Sequence, residues 1–200
     1  MCWNPEVSLN TFIFATFGAF FALINHYDWK IVLLVYVFSS MQFVEYILWK
    51  NLENVKLNEL WSKVAFALIV LEPYPAINLI NQISLRNLFF GLYTLILAIF
   101  LPSLIKNTNF ITSVGENKHL SWEWLPKNII YHIVWLFFFI SPFYILNYYI
   151  SLIFTLVTYL ISYYLYHKTN TMGSMWCWIV SFSWLYIIGE SFGLKKCLFC

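Results

Sequence analysis

Long apolar runs alternate with short polar clusters along the whole chain. Seven runs stand out: Ser8–Asn25, Lys30–Trp49, Trp61–Ile80, Asn87–Ile105, Asn128–Leu146, Tyr148–Tyr166 and Met172–Phe192. Each approaches or reaches the ~20 apolar residues that a membrane-spanning helix requires. The charges collect in the breaks, at Asp28 and Lys30, Lys50 to Glu59, Arg86, Lys106 to Lys127, and His167 with Lys168. The fifth and sixth runs are separated only by Asn147 and neighbouring tyrosines, and Pro142 marks either their turn or a kink.

Lipid offers the backbone no hydrogen bonds, so a spanning segment is a helix or a strand of a closed barrel. A barrel strand alternates apolar and polar residues. Runs such as Leu95–Leu101 and Ile133–Ile140 do not alternate, which leaves helices. Trp29 and Trp49 bracket the second run, and Trp61, Trp122 and Trp124 lie beside others, as expected of headgroup-level anchors. The expected fold is an all-α membrane bundle of about seven transmembrane helices, with residues 1–200 as a single integral-membrane domain.

Composition agrees. The chain has 200 residues, 62% hydrophobic, 22% aromatic and only 10% charged, against about 25% charged in soluble domains. So few charges cannot cover a water-exposed surface, which excludes a soluble enzyme and a disordered chain. No basic region precedes the first apolar run, so no cleavable signal peptide is expected. Seven crossings place the termini on opposite faces. The N-terminal face then takes Lys50, Lys56, Lys63, Lys106, Lys118, Lys127 and Lys168, and the far face takes Lys30, Arg86, Lys195 and Lys196. Seven against four predicts a cytoplasmic N-terminus.

Ionisable side chains at membrane depth are costly and mark functional candidates. Glu45 is expected about one turn below the N-terminal face, Glu72 near the midplane and Glu190 near the far face. Around Glu72 the chain reads Leu71-Glu72-Pro73-Tyr74-Pro75, which predicts a helix broken beside the acid. Broken helices beside mid-membrane polar groups recur at ion and solute sites. The bland alternative is a protonated acid bonded to a neighbouring helix. Gln42 and Glu45, three apart, share a helical face with Ser39 or Ser40, a polar stripe or interhelical glue.

A second group is expected at the N-terminal face. If His119-Leu120-Ser121-Trp122-Glu123-Trp124 is helical, His119 and Glu123 share a face at metal-ligand spacing. With Cys2, His132 and Cys177 they form a candidate cup for zinc, copper or iron. The alternatives are an interfacial anchor, or a disulfide between Cys2 and Cys177. The terminal Cys197 and Cys200 are candidates for lipidation, redox chemistry or neither.

Microbial rhodopsins hold retinal on a lysine in the last helix, and Met172–Phe192 contains no lysine. Di-haem membrane cytochromes need four axial histidines within the spans, where only His132 lies. Met1-Cys2-Trp3-Asn4, Met41-Gln42-Phe43-Val44-Glu45, the His119 to Trp124 segment and Met175-Trp176-Cys177-Trp178 resemble a multi-pass membrane family of large DNA viruses and marine protists. That resemblance implies a host-cell or virion membrane and carries no activity.

Three functions stay open. The leading expectation is a small proton or cation channel or transporter using Gln42, Glu45, Glu72 and Glu190. The second is a metal-binding protein or metalloenzyme using Cys2, His119, Glu123, His132 and Cys177. The third is a non-catalytic scaffold that recruits lipid or another membrane protein. The expected partners are membrane lipid and a small ion or solute, not nucleic acid.

Overall fold

The computed structural model describes residues 4–192. The chain is an all-α bundle: α1 (Pro5–Ile24), α2 (Trp29–Lys50), α3 (Val55–Leu71), α4 (Pro73–Ile77), α5 (Ile83–Asn107), α6 (Ile129–Ile145), α7 (Tyr149–Tyr166), α8 (Met172–Ser181) and α9 (Ser183–Ser191). A hairpin of β1 (Thr112–Val114) and β2 (Leu120–Trp122) joins α5 to α6. The pairs α3–α4 and α8–α9 each run as one crossing, Val55–Ile77 and Met172–Ser191. Among the described residues six spans are long and apolar enough to cross a membrane, and α6 is a shorter apolar helix of 17 residues. The protein is a multi-pass membrane protein.

Asparagine or aspartate starts α1, α2, α3 and α6, because its side chain accepts orphan backbone donors. Asn4 accepts from the Val7 amide, Asp28 from Lys30, Asn54 from Leu57 and Asn128 from Ile130. Asn147 settles the α6–α7 boundary. It is left-handed at φ 61°, with its amide on the Tyr144 carbonyl and the Tyr148 amide on the Phe143 carbonyl. That paired pattern ends helices where a residue tolerates positive φ. Pro142 therefore lies inside α6 and does not mark the turn.

Tertiary contacts fix the alternation of crossings. At one end Lys50 faces Glu6 at 3.8 Å, and the hairpin joins the start of α3 to the α7–α8 turn. At the other end Tyr27, between α1 and α2, bonds Glu190 on α9. The N-terminal end of α1 and the C-terminal end of α9 thus lie at opposite ends of the bundle.

α2 is the central helix and packs against α1, α3, α4 and α8. An aromatic core forms beside it: Phe38 meets Trp176 edge-on at 4.8 Å, Trp176 meets Tyr159 at 5.0 Å, and Trp135 stacks on Phe139 at 4.9 Å. α5 is the outlier, with only 6% of its most apolar window buried. It joins the bundle through α4 and through ring contacts with α6, Tyr93 on Phe138 at 5.0 Å and Phe100 on Tyr131 at 6.4 Å.

Candidate functional site

The α3–α4 junction carries the most informative chemistry. Glu72 keeps a helical backbone (φ −54°, ψ −34°), and its amide still reaches the Leu68 carbonyl at 3.0 Å. The expected break is therefore a lapse in the hydrogen-bond ladder at a residue that keeps helical dihedrals. Pro73 has no N–H for the carbonyl four residues back, that of Ile69. The indole Nε1 of Trp135 on α6 donates to this carbonyl at 2.7 Å. One residue on, the Tyr93 hydroxyl of α5 donates to the Val70 carbonyl, also at 2.7 Å. Two side chains from neighbouring helices thus bond carbonyls around the proline segment, which is how such segments survive in lipid.

Glu72 itself is 1% exposed, and neither carboxyl oxygen has a hydrogen-bond partner. Its depth differs from the expectation. α3 begins at Val55, six residues before Trp61, so Glu72 follows 17 helical residues, about 25 Å along the crossing. It lies beyond the middle of the Val55–Ile77 span and nearer the far face. The α4 segment that follows packs on α6 and α2.

On α2, Gln42 and Glu45 are fully buried, as is Ser39. Ser39 accepts the Trp184 indole N–H at 2.8 Å, whereas Ser40 bonds back to its own helix at the Tyr36 carbonyl. Ser39 is thus the serine of the buried stripe. Glu190 is held otherwise: the Tyr27 and Tyr186 hydroxyls both donate to its carboxylate, the first at 2.5 Å. Burial first, then the bond to Glu190 and its charge, push the Tyr27 hydroxyl above the usual tyrosine range.

The residues expected to bind metal lie in different settings. The His119 to Glu123 segment is not helical: β2 occupies its middle, and Lys118 before it is left-handed at φ 61°. His119 is buried, while Glu123 is exposed and accepts from the Ser113 hydroxyl at 3.3 Å. The helical face proposed for them does not exist, because the hairpin's cross-strand pairing of Thr112 with Trp122 claims this backbone. His132 uses both ring nitrogens at 2.7 Å, on the Tyr159 hydroxyl and the Pro126 carbonyl. A carbonyl only accepts, so Nε2 carries the proton and Nδ1 accepts from Tyr159. Cys177 is fully buried on α8. Cys2, Cys197 and Cys200 lie outside the described residues. Among the described residues no group of three or more His, Cys, Asp or Glu side chains is placed to hold a metal ion.

The hairpin bridges α3 and the α7–α8 turn. Asn58 of α3 both donates to the Thr112 carbonyl (2.8 Å) and accepts from the Thr112 amide (2.9 Å), as a neighbouring strand would. Ser121 bonds the Thr169 carbonyl, and the Trp122 amide bonds the Asn170 carbonyl. Trp122 stacks on Trp124 at 4.8 Å and lies against Gly173 of α8.

Sequence reasoning missed one feature altogether. A cavity of about 280 Å³ opens between α5, α3 and α6, with Tyr159 and Trp176 on its inner wall. Trp135 and Tyr93 line it with their polar atoms already spent on the proline segment. The signal was present as an aromatic donor on each neighbouring helix opposite a Pro-x-Pro segment, but which donor meets which carbonyl is a tertiary fact. No protein-family model matches the chain, and neither a curated protein nor a solved structure matches it.

Proposed function

We propose that the protein is a small proton or cation translocator in which Glu72 is the central carrier group. The observation behind this reading is the Glu72 carboxyl, 1% exposed with neither oxygen hydrogen-bonded. A bare carboxylate in such surroundings is too costly to persist, and a bound proton or small cation removes the cost. Glu72 stands at the N-cap of α4, yet its side chain makes no capping bond there.

Glu45 and Gln42 supply a second station. They are buried on α2, the helix that packs directly against α3 and α4. Glu190 enters as a clamp: the Tyr27 bond ties α9 to the α1–α2 turn, and Tyr186, one turn earlier on α9, also donates to the carboxylate. The excess of lysines on the N-terminal face supports placing that face in the cytoplasm. The test is ion flux into vesicles containing purified protein, with Glu72→Gln and Glu45→Gln compared against wild type. Loss of flux in both fits the reading, and wild-type flux in Glu72→Gln rejects it.

A further inference from the structure

We propose, on the reading that Glu72 is the carrier group, that the ion it holds is the proton and not a metal cation. The acid then rests in the bundle as an uncharged carboxyl. Glu72 lies where α3 passes into α4, 1% exposed, with neither oxygen hydrogen-bonded. A proton and a metal cation would each remove the charge there, but they need different surroundings.

The hydrogen-bond donors beside the acid behave as they would beside a neutral group. A carboxylate in an apolar interior attracts donors strongly, since a charge-assisted hydrogen bond is about twice as strong as a neutral one. Glu190 illustrates this in the same bundle, where the Tyr27 and Tyr186 hydroxyls both donate to its carboxylate. The Tyr93 hydroxyl lies within electrostatic reach of Glu72, yet it donates to the uncharged Val70 carbonyl at 2.7 Å. The Trp135 indole likewise donates to the Ile69 carbonyl, three residues before the acid. The charged and titratable groups on the packed helices are remote: Lys30 and Glu45 on α2, the Glu59–Lys63 pair on α3, Arg86 on α5 and His132 on α6 exert no electrostatic influence on Glu72. Among the described residues no cation or donor therefore stabilises a carboxylate at this position.

A metal cation needs a cage that the junction does not supply. Calcium takes about six to eight oxygen ligands and magnesium a near-ideal octahedron, while potassium is held by rings of backbone carbonyls. The carbonyls around Glu72 already accept: Leu68 from the Glu72 amide at 3.0 Å, Ile69 from Trp135, Val70 from Tyr93, and Tyr74 from the Asn78 amide at 2.9 Å. Pro75 withholds an amide from the Leu71 carbonyl, and that single oxygen with the carboxyl falls far short of such a cage. Among the described residues no group of three or more His, Cys, Asp or Glu side chains is placed to complete one. A proton needs a single oxygen.

The test is infrared spectroscopy of the full-length protein in lipid bilayers at neutral pH, taken as the difference between wild type and Glu72→Gln. A protonated carboxyl has a carbonyl stretch, separate from the carboxylate bands, that shifts in heavy water. The expected result is a single such band in that difference, unchanged in size when sodium, potassium, magnesium or calcium is added to wild type at physiological concentration. Circular dichroism confirms that the variant is folded, and the cation titration uses wild type alone. A difference without the band, or a band that gives way to carboxylate absorption when any of these ions is added, overturns the proposal. Failure here and failure of translocation are separable. The band without flux in vesicles supports the proton and rejects translocation, whereas sodium or potassium flux that Glu72→Gln abolishes supports translocation and overturns the proton assignment.

Discussion

Trp135 donates its indole proton to the Ile69 carbonyl at 2.7 Å, and that is the carbonyl left without a helical partner by Pro73. One side chain from α6 therefore stabilises a defect in another crossing. The defect sits beside the buried acid. Trp135→Phe keeps most of the ring but orphans the carbonyl, and a loss of about 1–3 kcal/mol of stability is expected. Pro73→Ala returns a backbone donor, so Pro73→Ala with Trp135→Phe should be less destabilised than Trp135→Phe alone. Denaturant unfolding in detergent of the single and double variants checks this, and additive losses would contradict it.

The Asn58 clamp predicts a local opening. Asn58→Ala removes both side-chain bonds to the Thr112 backbone and leaves a buried N–H and C=O unmatched. Each orphan costs about 1–3 kcal/mol. Hydrogen exchange should accelerate across residues 108–127 while α1 and α2 stay protected.

Gly173 and Gly91 make a paired test. A Cβ at Gly173 would lie 2.4 Å from the Trp122 ring, whereas at Gly91 nothing lies within 4 Å. Gly173→Ala should cost about 1–3 kcal/mol through forced displacement of the ring or of α8. Gly91→Ala should be neutral or slightly stabilising, since alanine is the better helix former. Thermal unfolding of both variants in one detergent provides the comparison.

The Tyr27–Glu190 bond gives a pH dependence. Tyr27 is raised in the folded protein relative to an unfolded tyrosine near pH ~10. Its contribution is fully present below that unfolded value and is lost as pH rises through the higher folded value. Stability should hold to about pH 10 and fall above it, and Tyr27→Phe should flatten that alkaline decline.

Much of the architecture was readable from the chain because hydropathy and capping act locally. Asn147, Asn128 and Asp28 mark boundaries that lie within a few residues of the apolar runs. The start of α3 was misread because Lys56 and Glu59 look like a loop, yet Asn54 caps a helix that carries them as exposed surface. The hairpin was misread because i,i+4 spacing at His119 and Glu123 fits a helix equally well, while the Asn58 clamp and the Asn170 carbonyl that hold the strands are distant in sequence. The buried state of Glu45 and Glu72 follows from hydrophobic flanks. The commitment of His132 to Tyr159 and Pro126 is set by packing of α6 on α7, which periodicity does not encode.

The central claim is that the unpartnered Glu72 carries a proton or cation across the bundle. The most direct measurement is the collapse of an imposed pH gradient in vesicles loaded with a pH-sensitive dye, repeated with a potassium or sodium gradient and an ion-sensitive dye. The account predicts that wild type dissipates at least one of these gradients and that Glu72→Gln, correctly folded, leaves it at the rate of protein-free vesicles. Dissipation by Glu72→Gln at the wild-type rate, or none by wild type, would contradict it.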